Sequence, residues 1–299
     1  MRTIGEELQE TFGGKVYKIA LTSGCTCPNR DGTLGVRGCI FCSGKGSGEF
    51  AEDAGISVTE QIERAKRRVA AKMPEGEGRY IAYFQSFTNT YAPVERLKVL
   101  FMEAISHPEV VILSIATRPD CLPPEVLDLL KELNHIKPVW VELGLQTIHE
   151  ETAEYIRRGY SLCVFDRAVR ELQERDLYTI VHVILGLPGE DRTAMLETVR
   201  YVRDCGVQGI KLQLLHVLKG TDLATEYATG KVPVMDMETY TNLVADCVEL
   251  IGDRLTIHRL TGDGDRKLLI APVWSADKKR VLNTIHAKIR ERKRTGDIK

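Results

Sequence analysis

Apolar runs of strand length alternate with amphipathic stretches of helix length through nearly the whole chain. Residues 16–21, 80–84, 110–116, 139–143, 179–185, 209–216 and 255–260 are rich in Val, Ile, Leu or Tyr and read as strands. Helix signals lie between them. Ser57 followed by Glu60 is a capping box that opens a helix toward Lys72, the Pro123-Pro124 pair opens another, and Ser161 starts a third. Near-continuous apolar strands separated by helices imply a parallel sheet covered on its outer face. Six such βα repeats and one further strand fit an open barrel better than a closed eightfold one. No linker, low-complexity tract or change in composition divides the chain. The expected fold is therefore α/β, an open partial TIM barrel forming one domain over 1–299, with a (β/α)6-like core over about 15–218 and a strand and helix extension over about 219–299.

Composition narrows the class. A chain of 299 residues is long for one domain, but barrels of this kind reach roughly 250 residues. Its 43% apolar content can fill a core, and 28% charged residues exclude fibrous and disordered classes. No apolar stretch approaches the ~18 residues of a membrane span, and the opening MRTIGEELQETFGG has no signal-peptide core. A cytoplasmic protein is expected, with its eight cysteines reduced. The net charge of −1 is uninformative, but its distribution is uneven. The segment 276–299 carries Lys278, Lys279, Arg280, Lys288, Arg290, Arg292, Lys293, Arg294 and Lys299 against Asp277, Glu291 and Asp297. This is either a solvated terminal helix or a contact for a phosphate backbone.

Four cysteines, Cys25, Cys27, Cys39 and Cys42, crowd into a loop reading CTCPNRDGTLGVRGCIFC, directly after the first predicted strand. Thiolates one or two residues apart in an irregular loop can turn toward one metal centre. Cys121, Cys163, Cys205 and Cys247 are scattered and read as packing residues. A structural zinc knuckle would explain the four clustered thiols alone. However, the C-terminal ends of the strands, where such barrels gather functional groups, carry polar segments that a zinc knuckle does not need. These are QSFTNTY from Gln85, TRPD from Thr117, ELGLQ from Glu142 and GLPG from Gly186. Together they form a polar ring on one mouth, with the cysteine loop as one wall.

Taken in order, CPNRDGT at 27–33, GCIFCS at 38–43, YFQSFTNTYAP at 83–93, TRPDCLP at 117–123, ELGLQT at 142–147, HVILGLPGE at 182–190 and RLTGDGDRKLLIAPVW at 259–274 resemble the radical S-adenosylmethionine (SAM) enzymes. The closer likeness is to the YhcC/YtqA-like family, related to the radical SAM core of the elongator catalytic subunit. The resemblance implies that Cys27, Cys39 and Cys42 bind a 4Fe-4S cluster, with one iron open to SAM. Cys25 falls outside that set of three. It further implies that Phe41 packs beside adenine and that Gln85 and its neighbours, with Thr117 and Glu142, belong to the SAM site. Gln146 would contact ribose and Arg158, or adjacent Arg157, the SAM carboxylate. His182 stands where relatives have a ribose-binding acid, and Leu185 to Gly189 would form the adenine wall.

The activity so implied is cleavage of SAM to methionine and a 5′-deoxyadenosyl radical, which removes a hydrogen atom from a substrate held in contact range. An electron donor such as flavodoxin or ferredoxin would be a partner. The resemblance points to transfer RNA (tRNA) as substrate, at the step from carboxymethylaminomethyl to aminomethyl on wobble uridine. Arg259, Asp263, Asp265 and Arg266, in a Gly-rich loop after the last strand, are expected to line the substrate side. Two other readings stay open: a radical SAM enzyme on a non-RNA substrate, and a non-enzymatic zinc-bearing RNA-binding protein.

Overall fold

Strand β1 (Arg2–Thr3) leads into helix α1 (Ile4–Phe12), and β2 (Tyr17–Leu21) is separated from α2 (Val58–Val69) by a long loop. Regular alternation follows: β3 (Tyr80–Phe84), α3 (Val94–Ser106), β4 (Val110–Thr117), α4 (Pro124–Asn134), β5 (Val139–Gln146), α5 (Glu150–Tyr155), α6 (Leu162–Gln173), β6 (Tyr178–Leu185), α7 (Arg192–Asp204) and β7 (Gly209–Leu214). The C-terminal part adds β8 (Val217–Leu218), α8 (Asp222–Ala228), α9 (Met237–Ile251), β9 (Thr256–Arg259), β10 (Leu269–Ala271) and α10 (Lys278–Thr295). This is a computed structural model, and it describes residues 1–46, 48–72, 78–262 and 264–295.

All seven expected strands are present, each within a few residues of its expected limits. They pair in parallel in the order β1-β9-β7-β6-β5-β4-β3-β2, an eight-stranded open sheet in which β1 and β2 are the edges. The eighth strand, β1, was not expected. It precedes the first βα unit in sequence but docks at the far edge, on β9. A right-handed succession of crossover helices curls such a sheet and places them on its convex side. There the inward faces of α2, α3, α4, α6, α7 and α9 bury Ile62, Phe101, Leu130, Phe165, Val199 and Val244 in one continuous core with the outward residues of the strands. The basic helix α10 packs on α9 through Val281, Ile285 and Ile289, while Lys288 bonds Glu238 and Arg292 bonds Asp246. Of the basic segment, 296–299 lie outside the described residues.

The concave side is filled from below. Thr3 and Glu6 form a reciprocal capping box at the start of α1, whose C-terminal end turns on Gly13 at φ +67°. The helix lays Leu8 on Ile81, Ile112, Trp140 and Ile180, inward residues near the starts of β3 to β6. Its interior is thereby plugged at the N-terminal end of the strands, and the free space lies at the other end.

Candidate functional site

The loop from residue 22 to 57 contains no helix or strand among its described residues. It is shaped instead by backbone and side-chain ties. Leu34 N–H bonds Pro28 O at 2.8 Å and Gly38 N–H bonds Asn29 O at 2.7 Å. The Arg30 guanidinium donates to the carbonyls of Cys42 and Ser43 at 2.9 and 2.7 Å, which fixes the CxxC turn. Gly38, at φ +74°, leaves room for that guanidinium, which a Cβ would meet at 2.8 Å. Gly46 likewise accommodates the Phe87 ring, whose backbone N–H bonds Gly46 O at 3.0 Å. The buried Asn29 side chain ties the loop to the segment after α5, donating to Arg157 O at 2.7 Å and reaching Cys39 Sγ at 3.5 Å.

Cys27, Cys39 and Cys42 face one cavity at the C-terminal ends of the strands, while Cys25 is buried in the core and does not line it. The cavity, about 1050 Å3 including its open mouth, is also lined by Phe41, Tyr83, Gln85, Thr117, Arg118, Glu142, Gln146, Arg158, His182, Gln213 and Arg259. Burial pushes the Cys39 thiol up to about 12, with Cys42 and Cys27 adding to the effect and Arg118 opposing it. Cation, amide and thiol groups are thus interleaved, and Arg118 Nη1 lies 4.0 Å from Cys27 Sγ.

The remaining expected site residues fall into three groups. Phe41, Gln85, Thr117, Gln146, His182 and Arg259 line the cavity. Phe41 packs with Ile40, Ile156, Ile184 and Leu187 in a small apolar cluster on one side. Gln146 holds φ +70° and its Oε1 is buried without a hydrogen-bond partner. An orphaned acceptor on a strained residue at a cavity wall is what a missing ligand donor leaves behind. Phe87 at φ +58° and Arg157 at φ +57° share this conformation on the same rim.

A second group reaches the cavity but is committed elsewhere. Arg158 is 2% exposed and donates to Tyr160 O at 2.9 Å, Thr147 O at 2.6 Å and Glu150 Oε2 at 3.1 Å. Its guanidinium lies over Tyr160 at 4.8 Å from the ring centroid, and that of Arg118 at 5.0 Å. Arg157, the neighbour of Arg158, does not line the cavity and pairs with Asp222. Glu142 is the hub of a buried network. Oε1 accepts from Lys18 Nζ at 2.8 Å and Ser114 Oγ at 2.7 Å, and Oε2 accepts from His182 Nε2 at 2.6 Å and from Lys211 Nζ.

A third group does not reach the cavity. Leu185 is fully buried in the outer core, and the strand alternation brings Ile184 to the wall in its place. Arg266 bonds Ala276 O at 2.7 Å, and Asp265 caps Lys267 N–H at 2.9 Å, so both brace their own loop. Asp263 lies outside the described residues.

Beneath the cavity, Lys18 of β2, Ser114 of β4 and Lys211 of β7 converge on Glu142 of β5, and none of the three is among the expected site residues. Their signal was present: YKIAL and GIKLQL each carry one lysine inside a run otherwise fit for burial. Burial alone would raise the Glu142 carboxyl, but Lys18 and Lys211 hold it well below the usual carboxylate range. Burial drives the Lys211 ammonium well below its ordinary value against the pull of Glu142, and pushes the Tyr83 phenol up. Burial, with Lys211 beside it, lowers His182 to about 4. The imidazole is therefore neutral at pH 7, its Nε2 on Glu142 and its Nδ1 3.0 Å from the Gln213 amide.

The description "Radical SAM superfamily" fits residues 26–202, and "Radical_SAM C-terminal domain" fits 207–291. The chain belongs to the radical SAM superfamily. Within it, the chain groups with the YhcC/YtqA-like proteins, being 46% identical to YtqA of Bacillus subtilis over 97% of its own length and 89% of that protein's. A shorter match, 30% identical over 40% of this chain and 22% of the other, is to a tRNA uridine(34) acetyltransferase of Methanocaldococcus jannaschii. The solved structure of Methanocaldococcus infernus Elp3 with an N-terminal deletion has the same fold, with a TM-score of 0.65 at 16% identity over 89% of this chain and 63% of that one. Radical SAM enzymes use a 4Fe-4S cluster and SAM. The three convergent thiols, the orphaned Gln146 oxygen and the cavity's size fit both groups.

Proposed function

We propose that this radical SAM enzyme acts on the wobble uridine of tRNA, converting a carboxymethylaminomethyl group to aminomethyl. The observation that carries the reading is the union, in one cavity, of a three-cysteine wall with a lining of four arginines, Arg30, Arg118, Arg158 and Arg259, and a single carboxylate, Glu142. Asp120 and Glu150 offset Arg118 and Arg158, but guanidinium groups still outnumber these carboxylates, and such a lining favours a target that is itself anionic. The partial likeness to a protein named for tRNA uridine 34 supports the choice of target.

Cys27, Cys39 and Cys42 would hold the cluster, and Gln85, Thr117 and Gln146 would bind SAM beside it. Bound together and reduced by a small electron-donor protein, the two cofactors supply a 5′-deoxyadenosyl radical able to remove a hydrogen atom. The chain's own contribution is position and dryness: Phe41 and Ile184 present an apolar stretch of wall, and Tyr160, held by Arg118 and Arg158, braces another. His182 stays neutral and offers no charge to the nucleotide. A radical reacts with its nearest neighbour, so confinement decides the product.

The decisive measurement is mass spectrometry of tRNA nucleosides from cells lacking the gene. Carboxymethylaminomethyl nucleosides should accumulate at the expense of aminomethyl forms. Unchanged wobble uridines would overturn the substrate assignment. Protein reconstituted without oxygen should be brown and should release 5′-deoxyadenosine.

A further inference from the structure

Six neighbouring strands place charged or polar groups at or under the cavity: Lys18 on β2, Tyr83 on β3, Ser114 on β4, Glu142 on β5, His182 on β6, and Gln213 and Lys211 on β7. Among the described residues, Lys18 and Lys211 ion-pair with Glu142 and with no other acid. One carboxylate, itself 0% exposed in its side chain, therefore serves two ammonium groups. Its oxygens already accept from four side chains, which leaves it no capacity for a fifth. Lys18 is a quarter exposed and Lys211 only 3%, and both lie 4.5 Å from the Tyr83 ring centroid; with no second carboxylate among the described residues to pair it, a full charge on buried Lys211 is expensive. Above Lys211, Tyr83 Oη stands 3.5 Å from its Nζ, and Tyr83, Gln213 and Arg259 line the cavity floor beside His182 and the already saturated Glu142.

We propose that this floor docks a carboxylate of the target, which sits on Tyr83, Gln213 and Arg259 and supplies the negative charge that Lys18 and Lys211 share too little of. The inference rests on the tRNA reading only for the identity of the molecule bearing the group. Lys211 is a positioning residue, acting through Tyr83. Docking has a proton signature. In the free cavity the Lys211 amine is driven toward its neutral form by burial, and also by Lys18 and Arg259, against Glu142. An arriving anion restores its proton. Tyr83 stays protonated and His182 neutral through this range, so Lys211 is the group that couples. Binding of a carboxylate ligand should be coupled to proton uptake and weaken, by at most about tenfold per pH unit, as pH rises above the free amine's midpoint.

The test compares anticodon stem-loops carrying carboxymethylaminomethyluridine and methylaminomethyluridine on the reconstituted holoenzyme. For Lys211→Met, KM for the carboxylate-bearing RNA should rise roughly 10- to 100-fold, the effect of removing one charge from behind the docked anion. Binding of the RNA without the carboxylate should not change, and the pH slope should vanish. Gln213→Glu, which builds the second negative charge into the floor, should do the same without removing the buried lysine. If wild-type enzyme converts the RNA but both variants keep its affinity and pH slope, the floor assignment is overturned and the tRNA reading stands. If wild-type enzyme does not convert it, sarcosine is the probe: calorimetric binding to wild type that is lost in Lys211→Met retains the floor assignment while the tRNA reading falls. No sarcosine binding overturns both.

Discussion

The cavity's wall and its floor are built in opposite ways. The wall is a 36-residue loop over 22–57 without regular structure among its described residues, held by a few backbone hydrogen bonds, the Arg30 staple and the Asn29 tie. Its three thiols face the cavity without bonding to one another. The floor stands on strands locked by parallel ladders, and its charges are satisfied mainly by each other. A loop can close around a cluster because it lacks its own order, whereas strands can hold a radical's target still because they have it. Damage to the wall should therefore cost chemistry and spare the fold, and damage to the floor should cost both.

The sharpest break is Cys39→Ala. Loss of one of three ligands should abolish the brown chromophore and reduce 5′-deoxyadenosine release below detection, while urea unfolding of the cluster-free protein shifts little. Cys25→Ala, a neighbour turned into the core, should keep the chromophore and lose about 1 kcal/mol of stability. In the floor, Glu142→Ala strands buried Lys211 and half-buried Lys18 and should destabilise by roughly 3–5 kcal/mol in the same urea titration. His182 gives a smaller effect that depends on pH. Its folded value of about 4 lies below the ordinary 6.5, so between those values the unfolded chain binds a proton that the folded chain refuses. Stability should fall by about 3 kcal/mol as pH drops from 6.5 to 4. His182→Gln should flatten that part of the curve. An unchanged slope would place the acid sensitivity elsewhere.

The strands of the core were legible because burial on both faces leaves an unambiguous apolar run, and the cysteine wall because thiol spacing is rarely accidental. What escaped depends on distance in sequence. The β1 strand has only two residues, and its partner is Thr256–Arg259 at the other end of the chain. Helix α1 carried a readable capping box at Thr3 and Glu6, but nothing local says that Leu8 will plug the barrel. Arg158 reads as a ligand grip by its guanidinium, yet its donors are consumed by the carbonyls of Thr147 and Tyr160, which converge only after α5 turns back on β5. Leu185 and Ile184 differ by one step of a two-residue period, which adjacent apolar residues conceal. Lys18 and Lys211 were visible as exceptions in apolar strands. Their meaning required Glu142, which lies between them in sequence and touches both.

The plug formed by α1 has a kinetic consequence. With Leu8, Ile81, Ile112, Trp140 and Ile180 filling the lower end, cofactor and target share the entrance at the strand tips. Whichever sits deeper must arrive earlier and depart later. Steady-state patterns should then be those of a compulsory sequence, in which a bulky polynucleotide acts as a stopper and the spent nucleoside waits behind it.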